Sequence, residues 1–269
     1  MNMNRHLFLL CTLAASLGVT APSQAAEPTS RLDKIMTSKE VRVCMWPDYY
    51  GISYRNPKTQ QLSGIDTDLA QAFAKDLKVS VRFVESSFAK LVDDVGQDRC
   101  DVAMFAVGIT PARAEKLRFT RPYLTSDIYA ITTKSNRRIK TWADIDQAGV
   151  VVAVAKGTYH EPVMREKLKA ATLLVVDSPH AREQEVESGR ADVFMTNFPY
   201  TRRMLDNVDW ARRIAPPSTY HLMRYAYAVR PGDDRWLARV ERFVSDIKRD
   251  GRLMEAARRN GLEPIVTLE

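Results

Sequence analysis

The sequence has 269 residues, of which 45% are hydrophobic and 27% are charged, a composition typical of a globular chain with room for one large or two modest domains. Its 40 basic and 33 acidic residues give a formal charge of +7. The basic residues are scattered, in pairs such as Arg212–Arg213 and Arg258–Arg259, which indicates solvated faces rather than the single basic surface that nucleic-acid binding needs.

Residues 1–26 have the pattern of a secretory signal peptide. Arg5 and His6 precede an apolar run over residues 7–19, and residues 21–26 (APSQAA) offer small side chains for cleavage. The apolar run is shorter than the roughly 20 residues that a membrane-spanning helix needs. We therefore expect an exported protein in the periplasm.

Export leaves two cysteines, Cys44 and Cys100, which can pair in an oxidising compartment. Cys44 falls late in one predicted strand, and Cys100 falls just before another. If those strands are parallel neighbours, the two side chains lie at opposite ends. We therefore expect no disulfide, and two separated cysteines do not indicate a metal site.

The first half of the chain alternates between strand and helix patterns. Strands are predicted over residues 41–45, 79–84 and 101–106. Helices are predicted within residues 27–39, from Asp66 to Leu77 with Asp66 or Thr67 as N-cap, and over residues 88–95. This order predicts a parallel sheet.

The pattern then restarts. Further strands are predicted over residues 128–133, 150–154, 172–176, 191–196 and 220–229. Helices are predicted over residues 141–146, 159–169, 182–188 and 197–206, with a final helical segment, 236–260, broken near Gly251. The chain therefore encodes two α/β units without a linker rich in Gly or Ser.

Residues 108–123 (GITPARAEKLRFTRPY) form the segment best suited to bind a ligand. They follow a predicted buried strand, and ligands of open α/β sheets bind where strands end. Gly108 allows close approach to the backbone, and Arg113 can hold a carboxylate with two parallel hydrogen bonds. The segment resembles the signature of periplasmic solute-binding proteins of family 3, which serve ABC-type uptake of polar amino acids.

The resemblance covers residues 31–262 and implies an α/β, two-lobed periplasmic-binding-protein-like fold of type II. In this fold two mixed, mainly parallel sheets are joined by a hinge of two strands, here residues 123–133 and 218–230. The first lobe would take residues 27–126 and 219–269, and the second lobe residues 127–218.

The resemblance also implies which residues touch the ligand. Arg113 matches the arginine that holds the carboxylate, although by residue type alone it reads as a surface arginine. Gly108 and Thr110 match donors to the same carboxylate. Gly157 and Thr158 match backbone amides at a helix N-terminus, where anions are favoured.

Three aromatic residues are expected at the mouth of the site. Tyr49 matches an aromatic that stacks on the ligand, while Trp46 and Phe88 fit either the site walls or core packing. Asn197 stands where amino-acid binders commonly carry an aspartate for the ammonium group. Because an amide is uncharged, a carboxylate without an amine becomes an alternative ligand, and Asn197 equally fits a helix cap.

These residues predict a binding protein for a small carboxylate-bearing ligand, with an amino acid as the expected class. We expect it to act as a monomer that delivers the ligand to the membrane permease of an ABC importer. No cofactor, metal or nucleic-acid partner is expected, since His160, His180 and His221 are isolated in the sequence.

An enzyme is one alternative. Periplasmic cyclohexadienyl dehydratases share the implied fold, and the stretches RLDKI and DYYGISYR resemble them. Those enzymes place a glutamate, as general acid, three residues after the acid that ends a strand. That position is Tyr200 here, following Asn197, so catalysis is not expected. A stand-alone ligand sensor is the second alternative.

Overall fold

The structure is a computed structural model that describes residues 30–269, apart from the side chain of residue 203. The predicted signal peptide, residues 1–26, lies outside the described residues. Between residues 30 and 269, none of the helices combines the length and the apolar character that crossing a membrane requires.

In chain order, the strands are β1 (Glu40–Met45), β2 (Asp48–Tyr49), β3 (Ser53–Arg55), β4 (Leu62–Ser63), β5 (Ser80–Glu85), β6 (Val102–Gly108), β7 (Arg118–Phe119), β8 (Leu124–Ser126), β9 (Ile128–Thr133), β10 (Val151–Ala155), β11 (Thr172–Val176), β12 (Val193–Asn197), β13 (Ala211–Ile214) and β14 (Met223–Val229). The α-helices are α1 (Arg31–Ser38), α2 (Ile65–Leu77), α3 (Leu91–Gly96), α4 (Pro111–Ala114), α5 (His160–Lys167), α6 (Pro179–Glu187), α7 (Phe198–Asn207), α8 (Asp234–Arg249) and α9 (Arg252–Arg259). Two 3-10 turns cover Trp142–Asp144 and Glu263–Ile265.

The strands form two main sheets and one small sheet. The first main sheet has the order β5-β1-β6-β14-β7, with β8 also paired to β14, and the second has the order β11-β10-β12-β9-β13. In each main sheet three neighbouring strands run parallel to one another: β5, β1 and β6 in the first, and β11, β10 and β12 in the second. All remaining strand pairs of the two sheets are antiparallel. We call the parts of the chain built on these sheets the first lobe and the second lobe.

Two segments pass between the lobes. β8 ends in the first sheet at Ser126, β9 begins in the second sheet at Ile128, and the chain returns between β13 and β14. Helices α8 and α9 then pack on the first lobe, where the ring of Phe73 lies 5.7 Å from Trp236 and 4.7 Å from Phe243 between centroids. The domain boundaries at residues 126 and 219 stay a prediction.

Cys44 and Cys100 form a disulfide, so the expectation that they would stay apart is wrong. The parallel strands β1 and β6 are neighbours, but they are staggered, with Val43 and Cys44 level with Val102 and Ala103. The end of β1 therefore meets the start of β6, and the cysteine Cα atoms lie 5.5 Å apart. The cross-link closes a loop with a sequence separation of 56 residues. A disulfide of this kind typically adds about 2–4 kcal/mol to the free energy of unfolding.

Helix α2 begins at Ile65, one residue earlier than predicted. Gly64, rather than Asp66 or Thr67, is its N-cap, and no side chain caps it. Gly64 has a φ of 128°, and a Cβ at this position would lie 2.3 Å from the carbonyl oxygen of Ile52. Glycine alone fits this turn, and the turn directs Asp66 into the lobe rather than toward the helix end.

The buried Asp66 carboxyl joins α2 to both segments that pass between the lobes. It accepts hydrogen bonds from the hydroxyls of Tyr123 (2.5 Å) and Tyr227 (3.1 Å) and from the backbone N–H of Ala106 (2.7 Å). Tyr123 directly precedes β8, and Tyr227 lies on β14. Burial outweighs these donors and raises the pKa of Asp66 to about 7.

We predict that Asp66 makes the fold less stable as pH rises from about 4 to about 7. In this window the folded state holds the proton more tightly than the unfolded state, whose aspartate has a pKa near 4. The free energy of unfolding therefore falls with rising pH, by on the order of 4 kcal/mol in total. Urea unfolding at pH 4.5, 6 and 8 measures this dependence.

The variant Asp66→Asn cannot release a proton and should lose this part of the pH dependence. Asp68→Asn, on the same helix but paired at the surface with Arg259, serves as the matched control and should keep it. An unchanged slope of unfolding free energy against pH in Asp66→Asn would contradict the assignment.

Candidate functional site

Strand β6 and the short helix α4 place Arg113 beside the second lobe. β6 ends at Gly108, and Thr110 caps α4 by accepting the backbone N–H of Arg113 at 3.3 Å. Pro111 occupies the first helical position, where its missing N–H costs nothing. The result is a fixed turn whose arginine points inward and is only 7% exposed.

The Arg113 guanidinium contacts both lobes. Its Nη1 donates to the Gly108 carbonyl and its Nη2 donates to the Gly157 carbonyl, each at 3.0 Å, and it lies 5.0 Å from the centre of the Phe88 ring. Among the described residues no carboxylate forms an ion pair with it. Burial lowers the pKa of Arg113 to about 10, so it stays charged at neutral pH. This is a buried positive charge without a counterion in the protein, an arrangement that is costly unless an anion approaches.

Gly157 and Thr158 follow the end of β10, directly opposite Arg113. Gly157 has a φ of 76°, and a Cβ there would lie 2.6 Å from the backbone nitrogen of Ala89 in the first lobe. Its N–H donates to Glu161 Oε2 at 3.2 Å, while the Thr158 hydroxyl donates to the Ala155 carbonyl at 2.7 Å. In this arrangement the Gly157 carbonyl, rather than its amide, faces the guanidinium.

Asn197 ends β12 and performs two tasks at once. Its Oδ1 accepts the backbone N–H of Tyr200 at 3.4 Å, which caps α7. Its Nδ2 donates to the hydroxyls of Tyr49 and of Tyr225, the latter at 3.0 Å, and both tyrosines belong to the first lobe. The helix-cap alternative and the position in the cleft are therefore compatible.

The three predicted aromatic residues form one cluster. Ring centroids of Trp46 lie 5.3 Å from Tyr49 and 4.8 Å from Phe88. Phe88 also lies 5.1 Å from Phe105 in the core of the first lobe. Trp46 and Phe88 thus pack on the core and face the cleft at the same time, so the two interpretations of these residues do not exclude each other.

Five further residues of the cleft were not found from the sequence: Tyr159, His160, Arg182, Thr196 and Tyr225. The Tyr159 and Tyr225 hydroxyls lie 3.1 Å apart and join the two lobes. Burial raises the pKa of both tyrosines, so they are neutral hydrogen-bonding groups. One available signal was that Arg182 lies four residues before Val186 on the buried face of α6, where a charged side chain is unusual.

Between the lobes there is an enclosed space of about 10 Å³, roughly the size that one water molecule needs. Ten side chains line it: Trp46, Tyr49, Phe88, Thr158, Tyr159, His160, Arg182, Thr196, Asn197 and Tyr200. None of them is a carboxylic acid. A solute larger than water therefore needs the lobes to separate before it enters.

Comparison with known proteins places this arrangement in a family. A sequence profile for bacterial extracellular solute-binding proteins, family 3, matches residues 41–262. The cyclohexadienyl dehydratase of Pseudomonas aeruginosa is 31% identical over 252 residues, which are 93% of this chain and 92% of that enzyme. The amino-acid-binding protein AabA of Dichelobacter nodosus is 29% identical over 218 residues, 77% of this chain and 81% of the relative.

A solved structure agrees with these similarities. The crystal structure of the ancestral amino acid-binding protein AncCDT-1, a precursor of cyclohexadienyl dehydratase, matches with a TM-score of 0.79 and 30% identity over 86% of this chain and 99% of that chain. The two-lobed fold implied by the resemblance is confirmed. The relatives include both binding proteins and an enzyme. The chain belongs to the bacterial extracellular solute-binding proteins of family 3.

Proposed function

We propose that this chain captures a small carboxylate-bearing solute between its two lobes and delivers it to the membrane permease of an ABC importer. In this proposal residues 1–26 direct export to the periplasm and the chain acts as a monomer. Amino acids are the first class of solute to test, because AabA and AncCDT-1 are named as amino-acid-binding proteins.

The observation that carries the proposal is the Arg113 guanidinium. It is buried, charged and without a carboxylate partner among the described residues, and its forked N–H groups point at two carbonyls that a ligand can replace. A carboxylate accepts two parallel hydrogen bonds from such a fork.

The contacts between the lobes indicate how capture works. Hydrogen bonds from Arg113 to Gly157, from Asn197 to Tyr49 and between Tyr159 and Tyr225 all link groups on opposite lobes. These bonds hold the lobes together. The lobes can separate by bending at the two connecting segments, one between β8 and β9 and the other between β13 and β14. Hinged closure of this kind surrounds a ligand on all sides.

We predict that Arg113→Gln abolishes ligand-induced stabilisation. A thermal-shift screen over amino acids and small carboxylates identifies a ligand of the wild type, since binding to the folded state raises its melting temperature. Loss of one partner from a buried charge pair costs about 2–5 kcal/mol, so affinity should fall at least about 30-fold. Arg118→Gln, at an exposed arginine on β7, is the matched control and should bind like the wild type. Equal affinity of Arg113→Gln and wild type would rule out this role.

A second prediction concerns Gly157. Gly157→Ala should weaken ligand binding by at least about tenfold, because the new methyl group would overlap Ala89 when the lobes meet. Isothermal titration calorimetry with the ligand from the screen measures this effect.

Gly189→Ala is the control for backbone strain. Gly189 has a φ of 78°, close to that of Gly157, but a Cβ there meets nothing within 4 Å. In both variants an alanine must adopt a left-handed backbone conformation, which lowers the free energy of unfolding by roughly 1–2 kcal/mol. If the two variants bound ligand equally well, contact between Gly157 and Ala89 would not be part of closure.

Dehydration is the second candidate function, favoured by the 31% identity to the Pseudomonas aeruginosa enzyme. The ten side chains around the enclosed space include no carboxylic acid, and Tyr200, where that class of enzyme has its glutamate, is buried. Burial raises the pKa of Tyr200, which makes it a poor proton donor near neutral pH. A carboxyl group does lie behind it, because the Tyr200 hydroxyl donates to Glu183.

We therefore predict no turnover of prephenate or arogenate above the uncatalysed rate. Loss of a general acid costs about 10²–10⁴ in rate. Product formation is followed by absorbance, with the Pseudomonas aeruginosa enzyme as positive control. Turnover that disappears in Glu183→Gln would establish the enzyme instead.

A further inference from the structure

A second buried guanidinium faces the cleft from the other lobe. Arg182 on α6 is 2% exposed; its Nη1 donates to the Met195 carbonyl at 2.8 Å and its Nη2 to Thr196 Oγ1 at 3.3 Å. Its guanidinium lies 4.4 Å from the ring centre of Tyr200. Among the described residues no carboxylate forms an ion pair with Arg182, and the neighbouring Glu183 accepts from Tyr200 and lies 3.5 Å from His180.

Donors around Arg182 are left without partners. Its Nε is buried and makes no hydrogen bond in the described part of the chain. Neither ring nitrogen of His160 makes a hydrogen bond of normal geometry, although a backbone group of Thr196 lies near. Buried donors without acceptors destabilise the closed form. Arg182, His160 and Thr196 all line the space between the lobes, so an acceptor on a ligand would reach them.

The side chains around the small enclosed space are therefore one-sided in charge, while Asp48, Glu85 and Asp177 line a separate part of the gap between the lobes. Arg113 and Arg182 both act on His160, whose pKa is held well below its usual value by burial and by these cations. The ten side chains around the enclosed space include no carboxylate to balance Arg182, and no carboxylate in the described chain forms an ion pair with Arg113. A ligand with an ammonium or guanidinium group would add a like charge in a medium of low dielectric constant, which is repulsive.

We propose that the ligand is a small dicarboxylate without an ammonium group, with one carboxylate on Arg113 and the other on Arg182. This inference rests on the proposed function for the Arg113 side. The second carboxylate takes the Arg182 Nε and the hydroxyl of Thr196. The aromatic walls formed by Trp46 and Tyr49 cover the carbon skeleton between the two ends.

The test compares each dicarboxylate with its own monoamide. Succinate, glutarate and adipate are titrated into the wild type by calorimetry at pH 7.5, each beside the compound in which one carboxylate is an amide. The best-bound dicarboxylate should bind at least tenfold more tightly than its monoamide and more tightly than glutamate or arginine. The series of lengths finds the spacing that suits the two guanidinium groups.

The variant Arg182→Gln should reduce the preference for the dicarboxylate over its monoamide to within about twofold, because the dicarboxylate loses its charged partner. Arg190→Gln, at an exposed arginine of the same lobe that pairs with Glu185, is the matched control and should keep the preference. Circular dichroism and melting temperature check that each variant is folded. If Arg182→Gln does not fold, Arg182→Lys, which retains charge but not the fork, should lower the preference at least threefold.

The proposal would be overturned if no dicarboxylate binds at millimolar concentration, if the monoamide binds as tightly as the dicarboxylate, or if the preference survives in Arg182→Gln. A tighter complex with glutamate than with glutarate would also overturn it. These results are distinct from failure of the proposed function. If monocarboxylates bind and require Arg113, the solute-binding role stands even when Arg182 proves to have a purely structural role.

Discussion

A buried positive charge at the meeting point of two lobes governs this molecule. Arg113 reaches its own lobe through Gly108 and the opposite lobe through Gly157, with a guanidinium that has no carboxylate partner in the described chain. Desolvation of such a group is expensive, and hydrogen bonds to neutral carbonyls offset part of that cost. The most favourable partner for this geometry is a carboxylate held between the lobes.

The rest of the fold places this charge accurately. Strand β6 of the first sheet and strand β10 of the second sheet both end at the cleft. The loops that follow them meet there, where Arg113 donates to the Gly157 carbonyl. Asp66 on helix α2 accepts hydrogen bonds from the hydroxyls of Tyr123 and Tyr227, which lie next to the segments that connect the lobes.

Many strands and helices of the fold could be predicted from the sequence, because the spacing of apolar residues indicates which positions are buried. Strands such as Ile128–Thr133 and Thr172–Val176 were predicted with their observed bounds. Strand β13 was missed because its sequence, ARRI, carries arginines, one of which donates to the carbonyls of Asn136 and Ile139. The disulfide was missed because the stagger of two parallel strands cannot be read from either strand alone. Arg182 was missed because a charged residue in a helix reads as exposed until its buried neighbours are known.

The cross-link joins Cys44 on β1 to Cys100, just before β6 of the same sheet, and does not span the cleft. Rotation of the lobes leaves the distance between the sulfur atoms unchanged, so this bond does not restrict the swing of the lobes. It does make the stability of the first lobe depend on whether the chain folds in an oxidising or a reducing compartment. A copy produced in a reducing cytoplasm would carry two free thiols and a weaker first lobe, with its ligand pocket chemically intact.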